Sequence, residues 1–349
     1  MRTLAKNQKS LSKKIALLLL LCVLVTALAL GGMYAGMRSR GNSLLEQYAP
    51  QALPAAAQPG ANPSGADRIH FLNTGPGDCF LIESQGLFAL VDAAEDNDNP
   101  RALPGLEFTG YEDLVIDYLK QVAGDENGKV TLEWVLGTHT HSDHIGGFDS
   151  LILDQDITVK KAYLKTYDNR YISDYEIKNW DNDEVWHQMA DACAARGVPL
   201  ISELPEEPWD FGNFTVQFFN TGYQTAKKTG ENENAVGTLL TIRDKKIFLA
   251  ADINNITKTE KTIAPAIGKV DLLKVGHHGH ILSSSSVFIR TLDPDFCVVP
   301  TAATKKIFPP VYWRLTMGAG APIFVTGECN GLIADFTGGD ILFYQEIHS

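Results

Sequence analysis

The chain has 349 residues, 44% hydrophobic and 21% charged, with a net charge of −12, which is length and apolar content enough for one large or two small domains around a real core. Positions 1–40 hold seven basic residues and no acidic one, so the remainder sets 23 basic against 42 acidic residues, a net −19. A body that acidic excludes a general duplex binder, because phosphate contacts need Lys and Arg, and leaves only a local basic groove as a weak route to nucleic acid.

Residues 1–14 form a basic tail carrying Arg2, Lys6, Lys9, Lys13 and Lys14. Residues 15–37, Ile15 to Met37, are uncharged, and as a helix they extend about 34 Å, enough to cross a bilayer core. The preceding positive charge predicts a single-pass transmembrane signal-anchor in the cell membrane, with everything after residue 37 extracytoplasmic. A cleaved signal peptide ending at Ala27 and Ala29 is the competing reading, and would make the protein secreted. Cys22 lies in mid-run, which argues against lipid attachment. Residues 38–66, rich in Ala, Pro, Gly and Gln, predict a flexible linker. Export permits disulfides among Cys79, Cys193, Cys297 and Cys329, yet Cys79 and Cys297 fall in apolar strand-like runs where thiols serve as small core residues. No Cys-x-x-Cys pair occurs to suggest a zinc ribbon.

The body, residues 67–349, opens with strand-like IHFLN, a turn at Gly75, Pro76, Gly77 and Asp78, then CFLIES and LFALVDA. An amphipathic helix is predicted from about Glu112 to Val122. Leu132, Trp134, Val135 and Leu136 then form a strand leading into THTHSDHIGG, where Gly146 and Gly147 let the chain turn away. His139 and His141 share one side of an extended backbone, and Asp143 and His144 follow where the chain bends. Three of nine histidines within six positions point to a metal site rather than a polar surface loop. Imidazole with carboxylate suits zinc, manganese or iron better than calcium. A strand (VKKAYLK) and a polar, aromatic insertion from Thr166 to Asp183 come next. Ordinary packing is the expected role of Tyr163, Tyr167, Tyr171, Tyr175 and Trp180, with stacking on a base or sugar as the alternative. His187, on a following helix, reads as a surface residue. The second half continues as FTVQFFNT, AVGTLLTIRDKKIFLAADI and VDLLKVGHHGH, and Ser283 to Ser286 read best as the cap of the next helix. A final hairpin is expected from PIFVTG, GLIADF and ILFYQ.

At its His-x-His-x-Asp-His run the sequence resembles the metallo-β-lactamase fold superfamily, most closely the hydrolase domain attached to ComEC-type DNA-uptake proteins and its free-standing relatives. The likeness covers residues 67–349 and includes Gly77-Asp78, Asp92, Asp252 at the end of FLAAD, and the Gly-His-His-Gly motif. It implies an α/β fold, a four-layer αββα sandwich, binding one or two divalent ions, zinc or manganese. One ion would take His139, His141 and Asp252; its neighbour would take Asp143, His144, Asp252 and His277. That leaves Asp143, His278 and His280 as catalytic candidates: Asp143 as general base if a single ion binds, His280 as acid to the leaving group. Asp78 is expected to be structural beneath the ions, and Asp92 either a turn residue or a functional one. Many members complete the first site with a further histidine, where this chain offers only His187, or Asn234 as a non-histidine group. The implied function is a metal-dependent hydrolase of a phosphodiester, in a nucleotide or nucleic acid, by a metal-activated water. A thioester, lactone or β-lactam is the alternative substrate, with His144 weighing against the last, and a degenerate ligand-binding domain is the non-enzymatic reading.

Overall fold

The computed structural model describes residues 2–48, 51–52, 65–96, 109–304 and 306–348. The strands Asp67–Phe71, Phe80–Ser84 and Leu87–Val91 run antiparallel through short turns. From Leu87–Val91 the pairing becomes parallel, through Trp134–Gly137 to Ala162–Leu164. Parallel neighbours need a crossover: α2 (Glu112–Ala123) lies in the first and Phe148–Leu153 in the second, and α6 (Asn182–Arg196) leads on to a further parallel strand, Leu200–Ile201. The second sheet repeats the plan. Phe214–Phe219, Gly237–Ile242 and Lys245–Leu249 are antiparallel, and Leu272–Lys274, Phe296–Val299 and Ile323–Val325 follow in parallel. Their crossovers carry α7 (Thr259–Ile267) and α8 (Ser286–Leu292). Among the described residues the two sheets hold nine and seven strands.

Strand alternation divides the apolar side chains into three cores. Phe71, Phe80, Trp134, Phe214, Leu249 and Phe324 fill the space between the sheets, where Trp134 meets Tyr163, Trp209, Phe211 and Phe218 edge-on. One outer face is covered by α2, α6 and α4 (Phe148–Leu153), the other by α7, α8 and α9 (Pro309–Trp313). This is the expected αββα sandwich. The C-terminal hairpin differs from expectation. Leu332–Asp335 and Leu342–Gln345 pair with each other and with Asp67–Phe71, while Ile323–Val325 belongs to the opposite sheet. The short helix Thr326–Cys329 and a left-handed turn at Asn330 carry the chain across.

One helix, α1 (Arg2–Gln47), contains the apolar run, and its stretch Lys14–Gln47 is long and apolar enough to cross a membrane. It continues past Met37, so residues 38–47, assigned to the linker by composition, are helical. Leu44, Leu45, Glu46 and Gln47 are good helix formers, and the first proline comes only at Pro50. These last turns pack on the body. Met37 is buried in the outer core with Val311 and Tyr312, Arg38 lies over the Tyr312 ring at 5.7 Å, and Arg40 Nε donates to the Thr316 carbonyl at 3.2 Å. At Gly41 a side chain would collide with the Tyr312 hydroxyl. The helix thereby lies along Ile323–Val325, the outer strand of its sheet, and Gln51–Ala52 adds a strand to the edge of the other sheet beside Tyr344–Gln345. Residues 49–50 and 53–64 of the predicted linker lie outside the described residues.

Candidate metal centre

The parallel strands of both sheets end at one edge of the sandwich, and the predicted histidines and aspartates collect there. Trp134–Gly137 delivers Thr138 to His141, and α3 (Ser142–Ile145) then turns Asp143 and His144 back toward the strand ends. Gly146 and Gly147 keep helical backbone angles. Their role is close approach rather than a turn: a Cβ at Gly146 would lie 2.6 Å from the Asp96 nitrogen, and one at Gly147 would lie 2.5 Å from the Ala93 carbonyl.

Three imidazoles share one design, in which one ring nitrogen is held by an oxygen and the other is turned inward. His144 Nδ1 donates to Asp92 Oδ2 at 2.7 Å, and its Nε2 lies 3.4 Å from Asp252 Oδ1. His278 Nδ1 donates to the Pro300 carbonyl at 3.0 Å, and its Nε2 faces Asp252 Oδ1 at 3.4 Å and Asp143 Oδ2 at 3.6 Å. The Thr138 hydroxyl donates to Asp92 at 2.8 Å and so accepts from His139 Nδ1 at 3.1 Å. That leaves His139 Nε2 facing His141 Nδ1 at 3.2 Å, while His141 Nε2 lies 3.5 Å from Glu176 Oε2. Outer oxygens of this kind fix tautomer and ring orientation around metals.

The inward atoms fit a cation. His144 Nε2, His278 Nε2 and Asp252 Oδ1 are buried with no hydrogen-bond partner, an expensive state unless something else binds them. Two overlapping groups, His139 with His144 and Asp252, and Asp143 with His144 and His278, each keep their ligand atoms within 4.8 Å of one another. Asp78, Asp92 and His144 form a third such group, but Lys274 pairs with Asp78 and both Asp92 oxygens already accept hydrogen bonds, so this is supporting structure. The electrostatics agree. Burial, with His144 and His141 adjacent, pushes His139 well below the usual histidine range. Burial would also depress His144, but Asp252 and Asp92 hold it well above that range. Burial works against ionised Asp252, yet His278, His144 and His277 keep its carboxyl well below the usual carboxylate range.

The adjacent histidines take positions opposite to those expected. Both have left-handed backbone, φ 48° at His277 and 49° at His278, and the Pro300 carbonyl anchors the second ring, so His278 rather than His277 stands beside Asp143 and His144. His277 is half-buried, with Nε2 3.6 Å from the other oxygen of Asp252 and 3.3 Å from Asn232 Nδ2, and burial lowers its pKa to about 4. His280 is exposed, its ring centroid 5.0 Å from that of His277. His187 is on the surface, bound to the Asp183 carbonyl at 2.7 Å. Asn234 accepts from the Gln224 amide and donates to Glu231, so its amide is committed away from the site. The serines follow the capping reading: Ser285 caps α8, and Ser283 Oγ donates to the Gly276 carbonyl at 2.8 Å.

Three contributors escaped the sequence reading. Lys274 is fully buried, with Nζ on the Ala251 carbonyl at 2.7 Å, paired with Asp78, and 3.6 Å from Asp252 Oδ1. A lysine inside VDLLKV at a buried strand position was the available signal. Thr138 carries the relay from Asp92 to His139, and Glu176 reaches His141 from α5 (Asp174–Asn179) in the insertion, where no local pattern marks it. Lys165 donates to the Asn220 and Gly222 carbonyls. Burial lowers its pKa to about 7, with Glu231 opposing. An unfolded lysine titrates near ~10.4, so the unfolded chain holds the extra proton between these values and stability rises with pH across that window. Lys165→Met is expected to flatten this rise, measured by denaturant unfolding at neutral and alkaline pH. Asp92→Asn keeps the shape but disturbs both supported histidines, and is expected to weaken metal affinity roughly 10- to 100-fold, read by chelator competition.

No curated protein matches the chain. Among solved structures, similarity extends to the metallo-β-lactamase fold protein YhfI from Bacillus subtilis (13% identity, TM-score 0.47, 77% of this chain and 99% of that one). It extends also to Zn(2+)-bound PqqB from Methylobacterium extorquens (14%, 0.45, 74% and 87%) and to an isothiocyanate hydrolase from Delia radicum gut bacteria (13%, 0.43, 76% and 97%). The chain spans about half, 53%, of the diiron β-hydroxylase CmlA from Streptomyces venezuelae. A family model described as the metallo-beta-lactamase superfamily matches residues 72–300. That stretch runs from the first turn to the proline that anchors His278, taking in strands of both sheets and every inward-facing histidine and aspartate, and by it the chain belongs to the metallo-β-lactamase superfamily, whose members are in general metal-dependent hydrolases.

Proposed function

We propose that the protein is a membrane-anchored, extracytoplasmic metal-dependent phosphodiesterase. The observation that carries this reading is the set of imidazoles whose inner nitrogens converge on Asp252 while their outer nitrogens are held by oxygens. His139, His141, His277 and Asp252 would hold one zinc or manganese ion, and Asp143, His144, His278 and Asp252 the other. When bound, such a pair lowers the pKa of a water toward neutrality and offsets charge on the attacking and leaving oxygens of an in-line displacement. Asp92 keeps His144 and, through Thr138, His139 in the ligating tautomer. Asp143, 14% exposed at its side chain and 3.6 Å from His278 Nε2, would accept a proton if only one ion binds. His280, exposed beside His277, would be the acid for the leaving group. The basic tail before the apolar run supports the extracytoplasmic placement.

The test is bound metal per chain for the full-length protein in detergent, beside an Asp143→Ala, His144→Ala double variant, followed by hydrolysis of bis-p-nitrophenyl phosphate. About two ions, falling in the variant, with release of p-nitrophenol, is the expected outcome. Turnover of S-lactoylglutathione in its place would move the protein to the thioesterases. No metal after reloading would remove the hydrolase reading.

A further inference from the structure

The docked end of α1 fixes which face of the body looks toward the apolar run. Tyr48 packs edge-on against Phe296, at the start of its strand, with ring centroids 5.1 Å apart. Ten residues earlier, Arg38 and Met37 lie against Tyr312, Ile307 and Val311, beyond the strand's end. The helix therefore runs antiparallel to the strands, and its apolar part leaves the body at the edge where the metal centre sits. The loop bearing His278 is next to that exit. Phe308 N donates to the Gly279 carbonyl at 2.9 Å, and Ile307, in the same core as Met37, packs so closely on Gly279 that a Cβ there would lie 2.8 Å from it.

The surface around this exit is apolar. Ile281, Leu282, Val287 and Trp313 are 44%, 56%, 43% and 41% exposed. They form one patch, because Arg314 Nη1 donates to the Ser284 carbonyl at 3.0 Å and so ties the end of α9 to the loop before α8. Ile256 joins it through the bond from Asn255 N to the Leu282 carbonyl at 2.9 Å. Large apolar groups spread over a charged surface need no explanation, but a contiguous set beside a site marks a contact. An exposed tryptophan with aliphatic neighbours suits the layer between lipid headgroups and acyl chains.

We propose that the metal-centre edge of the body is seated on the bilayer that α1 enters, with Ile281, Leu282, Val287 and Trp313 in its interfacial layer, so that the site takes substrate from the lipid surface. This rests on the reading of α1 as a membrane span. Arg38 and Arg40, directly after the apolar run, stand at headgroup level in that arrangement.

The test reconstitutes the full chain in mixed phosphatidylcholine–phosphatidylglycerol vesicles containing lipids spin-labelled at shallow or deep acyl positions. Two signals are read: the tryptophan emission lost on Trp313→Phe, and a fluorophore on Cys22, the one cysteine exposed among the described residues. The expected result is quenching of the Trp313 signal by the shallow label and of the Cys22 signal by the deep one. Leu282→Trp in the Trp313→Phe background reads the same interface from the neighbouring loop, and is expected to be quenched likewise. Quenching at Cys22 with none at Trp313 or at the new tryptophan would overturn the seating and leave the anchor standing. No quenching at Cys22, with the chain extracted by carbonate, would overturn the anchor and the seating with it.

Discussion

Asp252→Asn is expected to abolish phosphodiester turnover while the protein still folds. Oδ1 of this carboxylate faces His144 and His278, Oδ2 faces His277, and both proposed ions need it. The substitution keeps volume and removes the charge to which three imidazoles are oriented. Its effect should exceed the roughly 10- to 100-fold loss typical of an outer-shell partner, and bound metal should fall further than in Asp92→Asn. The carboxyl is held well below the usual range by its histidines, against its burial, so it is ionised at neutral pH. Its contribution to stability is present above the unfolded value of about 3.9 and is lost as the pH drops below that value through the folded one. The acid limb of the wild-type stability profile should therefore shrink in Asp252→Asn. Wild-type turnover of bis-p-nitrophenyl phosphate in the variant would show that the reaction occurs elsewhere.

The second large effect is expected at Lys274. Its ammonium is fully buried between Asp78 and Asp252, and Met would fill the space without the charge. Removing one partner of a buried ion pair leaves the other uncompensated and typically costs about 3–5 kcal/mol. Lys274→Met should lose about that much in denaturant unfolding without metal. A divalent cation that binds only the folded state stabilises by mass action, and here it also restores positive charge beside Asp252. Added zinc should therefore recover more stability in Lys274→Met than in the wild type. Equal recovery in both would mean that the lysine and the cation occupy electrostatically separate places.

The portion of the site legible in the sequence was the portion contiguous in it. His139, His141, Asp143 and His144 fall within six residues, and a strand entering a short helix brings them together with little help from elsewhere. Asp252 and the histidine pair were reached through the family resemblance, but their division of labour was not visible, because adjacent side chains on left-handed backbone diverge in ways no periodicity describes. Thr138 and Lys274 look like ordinary strand residues until their long-range partners are known, and Glu176 comes from an insertion whose docking depends wholly on tertiary contacts. The sheets followed from apolar runs between turns. The crossing of the C-terminal segment did not, since a run such as Ile323–Val325 fits an edge position in either sheet. Composition also misplaced the end of α1: its last turns are stabilised by Tyr312 and Thr316, far along the chain.

The coverage of both sheet edges by the amino-terminal segment bears on how the protein can be handled. Cutting at residue 66 would remove α1 from beside Ile323–Val325 and Gln51–Ala52 from beside Tyr344–Gln345. Each cut edge would present unpaired backbone amides and carbonyls, the template for strand-to-strand association between molecules. The lost helix would also bare the apolar surface that receives Met37 and Leu45. A shortened protein that begins near Tyr34 should stay monomeric by sedimentation, whereas one that begins at Asp67 should self-associate even though every histidine and aspartate of the candidate centre is present.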